Sequence, residues 1–415
     1  MRRLRLGVWL ASLAGGLSGC SAILQDAGPS QCPAVRIDGD FPGGNIIVEE
    51  IIADRVRLRQ DIRDTGGWWF YWCFRVHSAA GRTLTFEFTD RNPIGVRGPA
   101  VSADGGGTWF WLGAEAVEGA SFTYTFPAGA EDVRFAFAVP YVETNLWAFL
   151  DTHLRPFRQA KAGHPHLRVD KLCDSRKGRR VELVRLGRLD GGAARRVLLT
   201  ARHHACETMA SFALEGLMHS VLTDEDLAWL REEVEFFIVP FVDKDGVEDG
   251  DQGKSRTPRD HNRDYDKESI YPEVRALRLQ VPAWSEGRLR FSLDMHCPYL
   301  GGGRSEKVFL VGQDNDYLWQ LLTEFSAILE SLPPTGLPYR AADNLPFGKE
   351  WNTAERRIEG KSNSVWAGAI PGIVSASTIE IPYANASGTA VTPESARALG
   401  MDLAKAIQKF LRACE

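Results

Sequence analysis

Apolar and polar residues alternate in short runs over the front part of the chain, from about Cys32 to residue 145. The runs are NIIVEEII, WWFYWCFRVH, RTLTFEFT, TWFWLG, SFTYTFP and VRFAFAVPY, with turn clusters such as HSAAGR and PAGAED between them. A period of two places successive side chains on opposite faces of a strand. We therefore predict a smaller antiparallel β-sandwich domain over residues 32–145. Its aromatic side chains are expected in the core, and a carbohydrate-binding face is the alternative.

The pattern changes after residue 145, where apolar strands begin to alternate with helices. A first helix is predicted over ETNLWAFLDTHL, and the strand candidates are RRVLLTA, VEFFIVPFV, LRFSLDMH, KVFLVG and GIVSASTIEIPY. Further helices are predicted over ETMASFALEGLMHSVL, over DNDYLWQLLTEFSAILESL and from about Glu394 to Leu411. This alternation predicts an α/β domain over residues 146–415, with a mostly parallel mixed sheet flanked by helices.

The first twenty residues, MRRLRLGVWLASLAGGLSGC, combine three arginines, an apolar run and small residues before Cys20. This is the composition of an export signal, and LSGC resembles a bacterial lipobox, in which the cysteine is lipidated. We predict a signal peptide with lipobox over residues 1–20 and a lipid anchor at Cys20 as the only membrane contact. The expected location is the bacterial cell envelope, at its periplasmic or outer-membrane face, or outside the cell if Cys20 is not lipidated.

Composition narrows the function classes. With 44% hydrophobic residues, 25% charged residues and a formal net charge of −5, the chain offers no basic surface for nucleic acid, and we expect no such partner. Six cysteines follow Cys20. Export permits disulfides, but the pairing of these cysteines cannot be read from the sequence.

Candidate metal chemistry begins at His204 and Glu207, three residues apart where a predicted strand gives way to a predicted helix. His296 ends another apolar strand, LRFSLDMH. Ligands of α/β sheets lie beyond the carboxyl ends of the strands, where these side chains and Glu380 all fall. Two histidines and one carboxylate with an open fourth position form the ligand set of hydrolytic zinc, although the same donors also accept Co or Mn.

Five motifs, HACE, DKDG, DHNRDYD, DMH and STIEI, occur in the order and approximate separations found in zinc carboxypeptidases. The chain resembles this M14 family, and most closely the branch of cytosolic carboxypeptidases, which carries a β-sandwich before the catalytic domain. The resemblance implies that His204, Glu207 and His296 bind one zinc ion and that Glu380 is the general base.

The resemblance also assigns substrate contacts. It implies that Asn262 and Arg263 hold the terminal carboxylate of a peptide, which an arginine binds through two parallel hydrogen bonds. Family members place an oxyanion-binding arginine shortly before this pair; here Lys254 or Arg256 must serve, and we favour Lys254. The family's mobile tyrosine has no counterpart at the expected distance before Glu380.

The function predicted from these residues is a zinc-dependent metallocarboxypeptidase that removes the C-terminal residue of peptides or cell-wall peptides with a free C-terminus. Two alternatives remain open at this point. One is a zinc amidase or deacylase acting on small N-acyl amino acids, and the other is a catalytically silent envelope binding protein. The β-sandwich favours the peptidase over the amidase, and the presence of Glu380 argues against a silent site.

Overall fold

The computed structural model describes residues 34–160, 163–356 and 359–414. The predicted signal segment 1–20, with the predicted lipid anchor at Cys20, lies outside the described residues, as does Cys32. From Val35 onward the chain forms one compact unit. Within the described ranges, no helix combines the length and apolar content that a bilayer-spanning segment needs.

Two five-stranded sheets form the front part of the molecule. Their strands are β1 Arg36–Asp38, β2 Ile47–Ile52, β3 Arg55–Arg59, β4 Cys73–His77, β5 Thr83–Phe88, β6 Ala100–Ser102, β7 Phe110–Trp111, β8 Val117–Glu118, β9 Ser121–Thr125 and β10 Val133–Ala136. One sheet has the order β1, β4, β10, β6, β7 and the other the order β2, β3, β5, β9, β8. All pairings are antiparallel except that of β3 with β5, which is parallel.

Aromatic side chains join the two front sheets face to face. The ring centroids of Phe74 on β4 and Phe86 on β5 lie 5.4 Å apart, as do those of Phe122 on β9 and Phe135 on β10. Along β5 the burial alternates, so that its period-two sequence TLTFEF turns Phe86 inward and its neighbours outward. This alternation builds a sandwich core from sequence runs that are only half apolar.

A seven-stranded sheet with helices forms the rest of the molecule. Its strands are β11 Leu167–Asp174, β12 Arg180–Gly187, β13 Arg195–Ala201, β14 Val234–Val239, β15 Leu289–His296, β16 Phe309–Val311 and β17 Ser375–Glu380, and a small hairpin adds β18 Asn385–Ala386 and β19 Thr389–Ala390. The helices are α1 Glu143–Leu154, α2 Thr208–Thr223, α3 Ala228–Glu233, α4 Lys244–Asp249, α5 Pro272–Ser285, α6 Asp316–Ser331, α7 Asn363–Ala367 and α8 Pro393–Ala413.

The large sheet is mixed. Its order is β11, β12, β14, β13, β15, β17, β16, and the pairings within β14, β13, β15 and β17 are parallel. The three remaining pairings, toward β11, β12 and β16, are antiparallel. The prediction of an α/β domain with helices around a mixed sheet is confirmed, but the sheet is as much antiparallel as parallel. The sequence prediction did not include the hairpin of β11 and β12, which accounts for two of the antiparallel pairings.

Each face of this sheet has its own apolar core. On β13, Val197 and Leu199 pack with residues of α2 and α8 in one buried cluster, whereas Leu198 packs with α5 in the other. Successive residues of one strand therefore serve opposite faces. Covering both faces explains why the strand sequences are continuously apolar rather than alternating.

Loops of the front sheets hold the segment that follows α4. The side chain of Gln252 accepts a hydrogen bond from the Tyr71 backbone nitrogen at 2.7 Å and donates to the Tyr71 carbonyl at 2.8 Å. Asp64 accepts from the backbone nitrogens of Gln252 and Gly253 at 3.0 and 2.8 Å, and Asn45 donates to the Gly250 carbonyl at 2.7 Å. These bonds satisfy buried backbone groups of the segment and fix its path.

Candidate metal centre and active site

Three adjacent parallel strands bring the predicted site residues to one edge of the sheet. His296 and Glu380 are the last residues of β15 and β17 and stand opposite each other in the register. β13 ends at Ala201, opposite Met295, and His204 follows within three residues. Glu207 is the N-cap residue of α2. Parallel strands end at the same edge, so residues far apart in sequence converge there.

A buried arginine shapes the turn that presents His204. Arg202 has a φ of 60°, in the left-handed region that is costly for a residue with a side chain. Its guanidinium donates to the carbonyls of Ala205 and Tyr141, at 3.0 and 2.8 Å, and to the Ser211 hydroxyl at 3.1 Å. These bonds offset the strained backbone, and they tie the turn to α2 and to the end of the front sheets.

The donor atoms of the three predicted ligands lie close together. His204 Nδ1 is 2.9 Å from Glu207 Oε1, His296 Nδ1 is 2.6 Å from Glu207 Oε2, and the two Nδ1 atoms are 3.1 Å apart. Two nitrogens that each bind zinc at about 2.0–2.1 Å in tetrahedral geometry stand about 3.3 Å apart. The three side chains are buried and offer atoms within 4.8 Å of one another, so their chemistry and spacing fit one zinc ion.

A chain of hydrogen bonds orients the His296 ring on its Nε2 side, away from the other two predicted ligands. Its Nε2 lies 2.6 Å from Asp294 Oδ2, while Asp294 Oδ1 accepts from the Thr200 hydroxyl and contacts His203 Nδ1, each at 2.8 Å. His203 Nε2 is in turn 2.8 Å from the Tyr265 hydroxyl. A carboxylate only accepts, so both histidines donate to Asp294, and Nδ1 of His296 is left free for a metal.

His204 has a carboxylate of its own. Asp260 Oδ1 lies 3.7 Å from His204 Nε2 in a buried position. Burial alone would raise the pKa of Asp260, but His204, Arg263 and Lys254 outweigh it and hold that pKa below its usual range. Each histidine of the triad therefore points Nδ1 inward and Nε2 toward an aspartate.

Lys254 reaches the same centre from the segment after α4. Its Nζ lies 3.2 Å from Glu207 Oε1 and 3.1 Å from His204 Nδ1. The preceding Gly253 has a φ of 77°, and a Cβ at that position would collide with the backbone nitrogen of Ala205. Only glycine allows the segment to approach the backbone of His204 and Ala205 this closely.

Arg256 is directed elsewhere. Its guanidinium donates to Asp243 at 2.6 Å and Asp251 at 3.1 Å and lies 3.5 Å from Asp64. Three aspartates thus surround its guanidinium, and two of them accept hydrogen bonds from it. Of the two cations considered for the oxyanion, the structure brings only Lys254 to the predicted metal ligands.

Glu380 lines the cavity in front of the three ligands. Its side chain is buried, and Oε2 has no hydrogen-bond partner among the described residues. Burial and the neighbouring Glu207 raise the pKa of Glu380 to about 7, against the opposing effect of His296 and Lys254. A carboxyl with such a pKa can both take and release a proton near neutral pH.

The cavity has a volume of about 600 Å³. Besides His204, His296, Lys254 and Glu380, its lining residues include Asn262, Arg263, Val311, Phe347, Trp351, Arg356 and Lys361. Asn262 accepts from the Asn363 backbone nitrogen at 2.8 Å, and Arg263 donates to the Asn262 carbonyl at 2.7 Å. No tyrosine is among the lining residues of the described chain.

Some residues of this site were not identified from the sequence. Arg202, Asp260 and Tyr265 contact the predicted ligands or the loops around them, and the sequence analysis gave none of the three a role. The available signal was weak: Asp260 and Tyr265 flank Asn262 and Arg263 in RDHNRDYD, a stretch that otherwise has the composition of an exposed charged loop.

Two imidazoles, a carboxylate and a facing carboxyl group of raised pKa are the groups that a metal-dependent hydrolase requires. Comparison with known proteins finds a family match for part of the chain. Residues 155–285 match the peptidase M14 family model, described as zinc carboxypeptidase. This part of the chain matches a zinc carboxypeptidase domain, the family that the motifs predicted.

Curated relatives agree with this assignment. The chain is 28% identical to mouse cytosolic carboxypeptidase 3 over 202 residues, which cover 47% of this chain and 19% of the relative. It is 27% identical to human cytosolic carboxypeptidase 2 over 205 residues, covering 47% of this chain and 22% of the relative. The matched region therefore spans about a fifth of the length of these relatives.

Solved structures share the fold. A metallo-carboxypeptidase from Burkholderia cenocepacia superposes with a TM-score of 0.73 at 22% identity, covering 92% of this chain and 100% of that chain. A metallo-carboxypeptidase from Pseudomonas aeruginosa, in complex with (2-guanidinoethylmercapto)succinic acid, superposes with a TM-score of 0.68 at 20% identity and covers the same shares. The likeness includes the front sheets, since it extends over nearly the whole described chain.

The predicted location is wrong on this comparison. The relatives are named cytosolic carboxypeptidases, which is at odds with a lipid-anchored protein of the cell envelope. The error has a simple origin: a short apolar run after several arginines, ending in small residues and a cysteine, was interpreted from its composition alone.

Proposed function

We propose that the protein is a zinc-dependent metallocarboxypeptidase that hydrolyses the C-terminal peptide bond of a peptide with a free C-terminus. The observation that carries the proposal is the convergence of His204, Glu207 and His296 in one cavity that Arg263 and Glu380 also line. A metal triad, a carboxylate clamp and a general base are the parts that such a reaction needs.

His204, Glu207 and His296 would hold the zinc ion. When bound, zinc would polarise the scissile carbonyl and lower the pKa of a water molecule from about 15.7 towards 7. Asp294 and Asp260 serve this chemistry indirectly, because they fix the orientation of the two imidazoles.

Arg263 and Asn262 would bind the terminal carboxylate of the substrate. Among the described residues Arg263 has no ion-pair partner and donates only to a backbone carbonyl, so its guanidinium is available for two parallel bonds to a carboxylate. Holding the chain end at this point places the last peptide bond near Glu380, and it selects against substrates without a free C-terminus.

Glu380 would act as general base and then as general acid. It takes a proton from the attacking water as the oxygen adds to the carbonyl carbon, and it gives a proton to the amine as the carbon–nitrogen bond breaks. Lys254 is the proposed partner of the oxyanion that forms between these steps, because its ammonium group is the cation beside the metal ligands. Arg256, paired with aspartates, is the less suitable candidate.

A peptide library with free and amidated C-termini tests the proposal. The zinc-loaded protein is expected to shorten free peptides by one residue and to leave the amidated ones intact, as read by mass spectrometry. Arg263→Ala is the informative variant, since it should raise KM for free peptides. Cleavage that is indifferent to amidation would refute the clamp and favour the amidase alternative.

The amidase alternative predicts another ranking of substrates. An amidase of small N-acyl amino acids should hydrolyse an acetylated single amino acid at least as fast as a peptide of several residues. A carboxypeptidase gains from contacts on the amino side of the scissile bond, so its kcat/KM should rise with peptide length.

A further inference from the structure

An aromatic surface from the front sheets meets the catalytic half beside the metal centre. Trp68, Trp69 and Phe70 precede β4, and they pack on Tyr299, three residues past the ligand His296. The ring of Tyr299 lies 6.4 Å from Trp68, 5.6 Å from Trp69 and 5.2 Å from Phe70, measured between centroids. We call Trp68, Trp69 and Tyr299 the aromatic platform.

The platform rests on a rigid base. Phe70 is fully buried and packs against Phe137 at 5.4 Å and Tyr383 at 5.6 Å. Tyr383 in turn follows Glu380 by three residues, so the base links the front sheets to the strand of the proposed general base. Aromatic side chains have few rotatable bonds, and held in this way they lose little entropy when a ligand covers them.

The platform is partly exposed to solvent. Tyr299 is 47% exposed and Trp68 and Trp69 are only partly buried, whereas most rings of the front core are fully buried. The platform is thus the part of the aromatic cluster that solvent, or a ligand, can reach. Aromatic rings recur at binding surfaces because each offers a large and rigid apolar contact area.

Lys254 connects the platform to the metal centre. Its ammonium group lies 5.8 Å from the centroid of Trp69 and 3.2 Å from Glu207 Oε1. In the proposed reaction the C-terminal residue occupies the cavity of Arg263, and Lys254 faces the oxyanion of the scissile carbonyl. That carbonyl belongs to the preceding residue, the penultimate one. The penultimate residue therefore lies next to Lys254, and Trp69 is the aromatic neighbour of that lysine.

We propose that the aromatic platform is a subsite for an aromatic side chain on the penultimate residue of the substrate. The inference rests on the proposed function for the direction in which the peptide lies. A flat ring complements the platform best, because offset and edge-to-face ring contacts add to the burial of apolar surface. The Arg91 guanidinium lies 5.7 Å from the centroid of Trp68 and is a second cation beside the platform.

Paired peptides of equal length and identical C-terminal residue, with phenylalanine or glycine in the penultimate position, test the subsite. Dissociation constants are measured by calorimetry on the zinc-loaded Glu380→Gln chain, so that the peptides stay intact. The phenylalanine peptide should bind about tenfold more tightly. Tyr299→Ala and Trp69→Leu should each reduce that preference to about twofold or less. Tyr317→Ala, which removes another exposed tyrosine at the start of α6, should preserve it.

These measurements test the subsite and the proposed carboxypeptidase activity separately. Equal affinity of the two peptides for the parent Glu380→Gln chain overturns the subsite, and so does a tenfold preference that survives in Tyr299→Ala. Tyr299 is half exposed, so that variant does not depend on repacking the core. If the wild-type protein cleaves both peptides equally well, the subsite fails and the carboxypeptidase stands. If it cleaves neither, yet the binding preference exists and is lost in Tyr299→Ala, the carboxypeptidase fails and the subsite stands.

Discussion

Replacing Asp294 by asparagine changes one atom in the hydrogen-bond chain behind His296 and should weaken zinc binding. Asp294 uses Oδ1 for the Thr200 hydroxyl and His203 and Oδ2 for His296. An asparagine would place its oxygen where the Thr200 hydroxyl and His203 both donate. Its amide N–H would then face His296. His296 Nε2 must then accept, which moves the ring proton to Nδ1, the atom that faces His204 and Glu207.

The magnitude follows from what the metal must then displace. Zinc can bind Nδ1 only after the ring returns to the other tautomer, where Nε2–H faces an amide N–H and loses its acceptor. Changes to the partner of a metal-binding histidine typically cost 10–100-fold in affinity. That range equals about 1.4–2.7 kcal/mol, within what one lost hydrogen bond to a charged group is worth. We expect the dissociation constant for zinc to rise by this factor.

Competition with a fluorescent zinc chelator measures the effect on parent, Asp294→Asn and Tyr265→Phe proteins. Tyr265→Phe removes the hydroxyl at the far end of the same chain, 2.8 Å from His203 Nε2, and leaves Asp294 in place, so less than threefold is expected. A zinc affinity of Asp294→Asn within threefold of the parent would refute the reasoning. It would mean that Asp294 supports the fold but does not set the proton of His296.

Three further perturbations follow from the site and its surroundings. Glu380→Gln should retain one zinc per chain by metal analysis and lose at least about a hundredfold in kcat, and an active variant would remove Glu380 from the reaction. Gly253→Ala should displace Lys254 and lower kcat/KM by about tenfold or more, whereas Gly178→Ala, with a φ of 78° and no atom within 4 Å of an added Cβ, should cost stability alone. Burial raises the pKa of Glu273 from its ordinary value of 4.5 to about 8, so stability is lost as the pH rises through that interval. Glu273→Gln should therefore gain in Tm over the parent at about pH 9 but not at about pH 4, and an equal gain at both would contradict the shift.

Elements whose periodicity comes from a continuous apolar face were predictable. The helix predicted over ETNLWAFLDTHL is α1, Glu143–Leu154, and the terminal helix differs from its prediction by only one or two residues at each end. β11 and β12 were not predicted, because LRVDKLCD contains four charged residues and RVELVRLG three, which interrupt the apolar pattern. Their antiparallel pairing is the reason that the sheet is less parallel than expected.

For the site, the sequence supplied residue types and strand ends, and these sufficed to assemble His204, Glu207 and His296. It favoured Lys254 over Arg256 but could not give the structural reason, which is that three aspartates from different segments surround Arg256. The contact of Trp69 with Lys254 could not be predicted from the sequence either. Contacts between residues that share no periodicity become visible only when the backbone path is known.

The bonds from the front sheets to the segment after α4 bear on how the protein tolerates change. Asp64 holds Gln252 from 188 positions away, and Asn45 holds Gly250 from 205. A polypeptide that started at residue 146 would lack these hydrogen bonds, and the position of Lys254 would no longer be fixed. In a deep mutational scan scored by turnover, Asp64 and Asn45 should therefore behave like members of the reaction centre, although neither one meets a substrate.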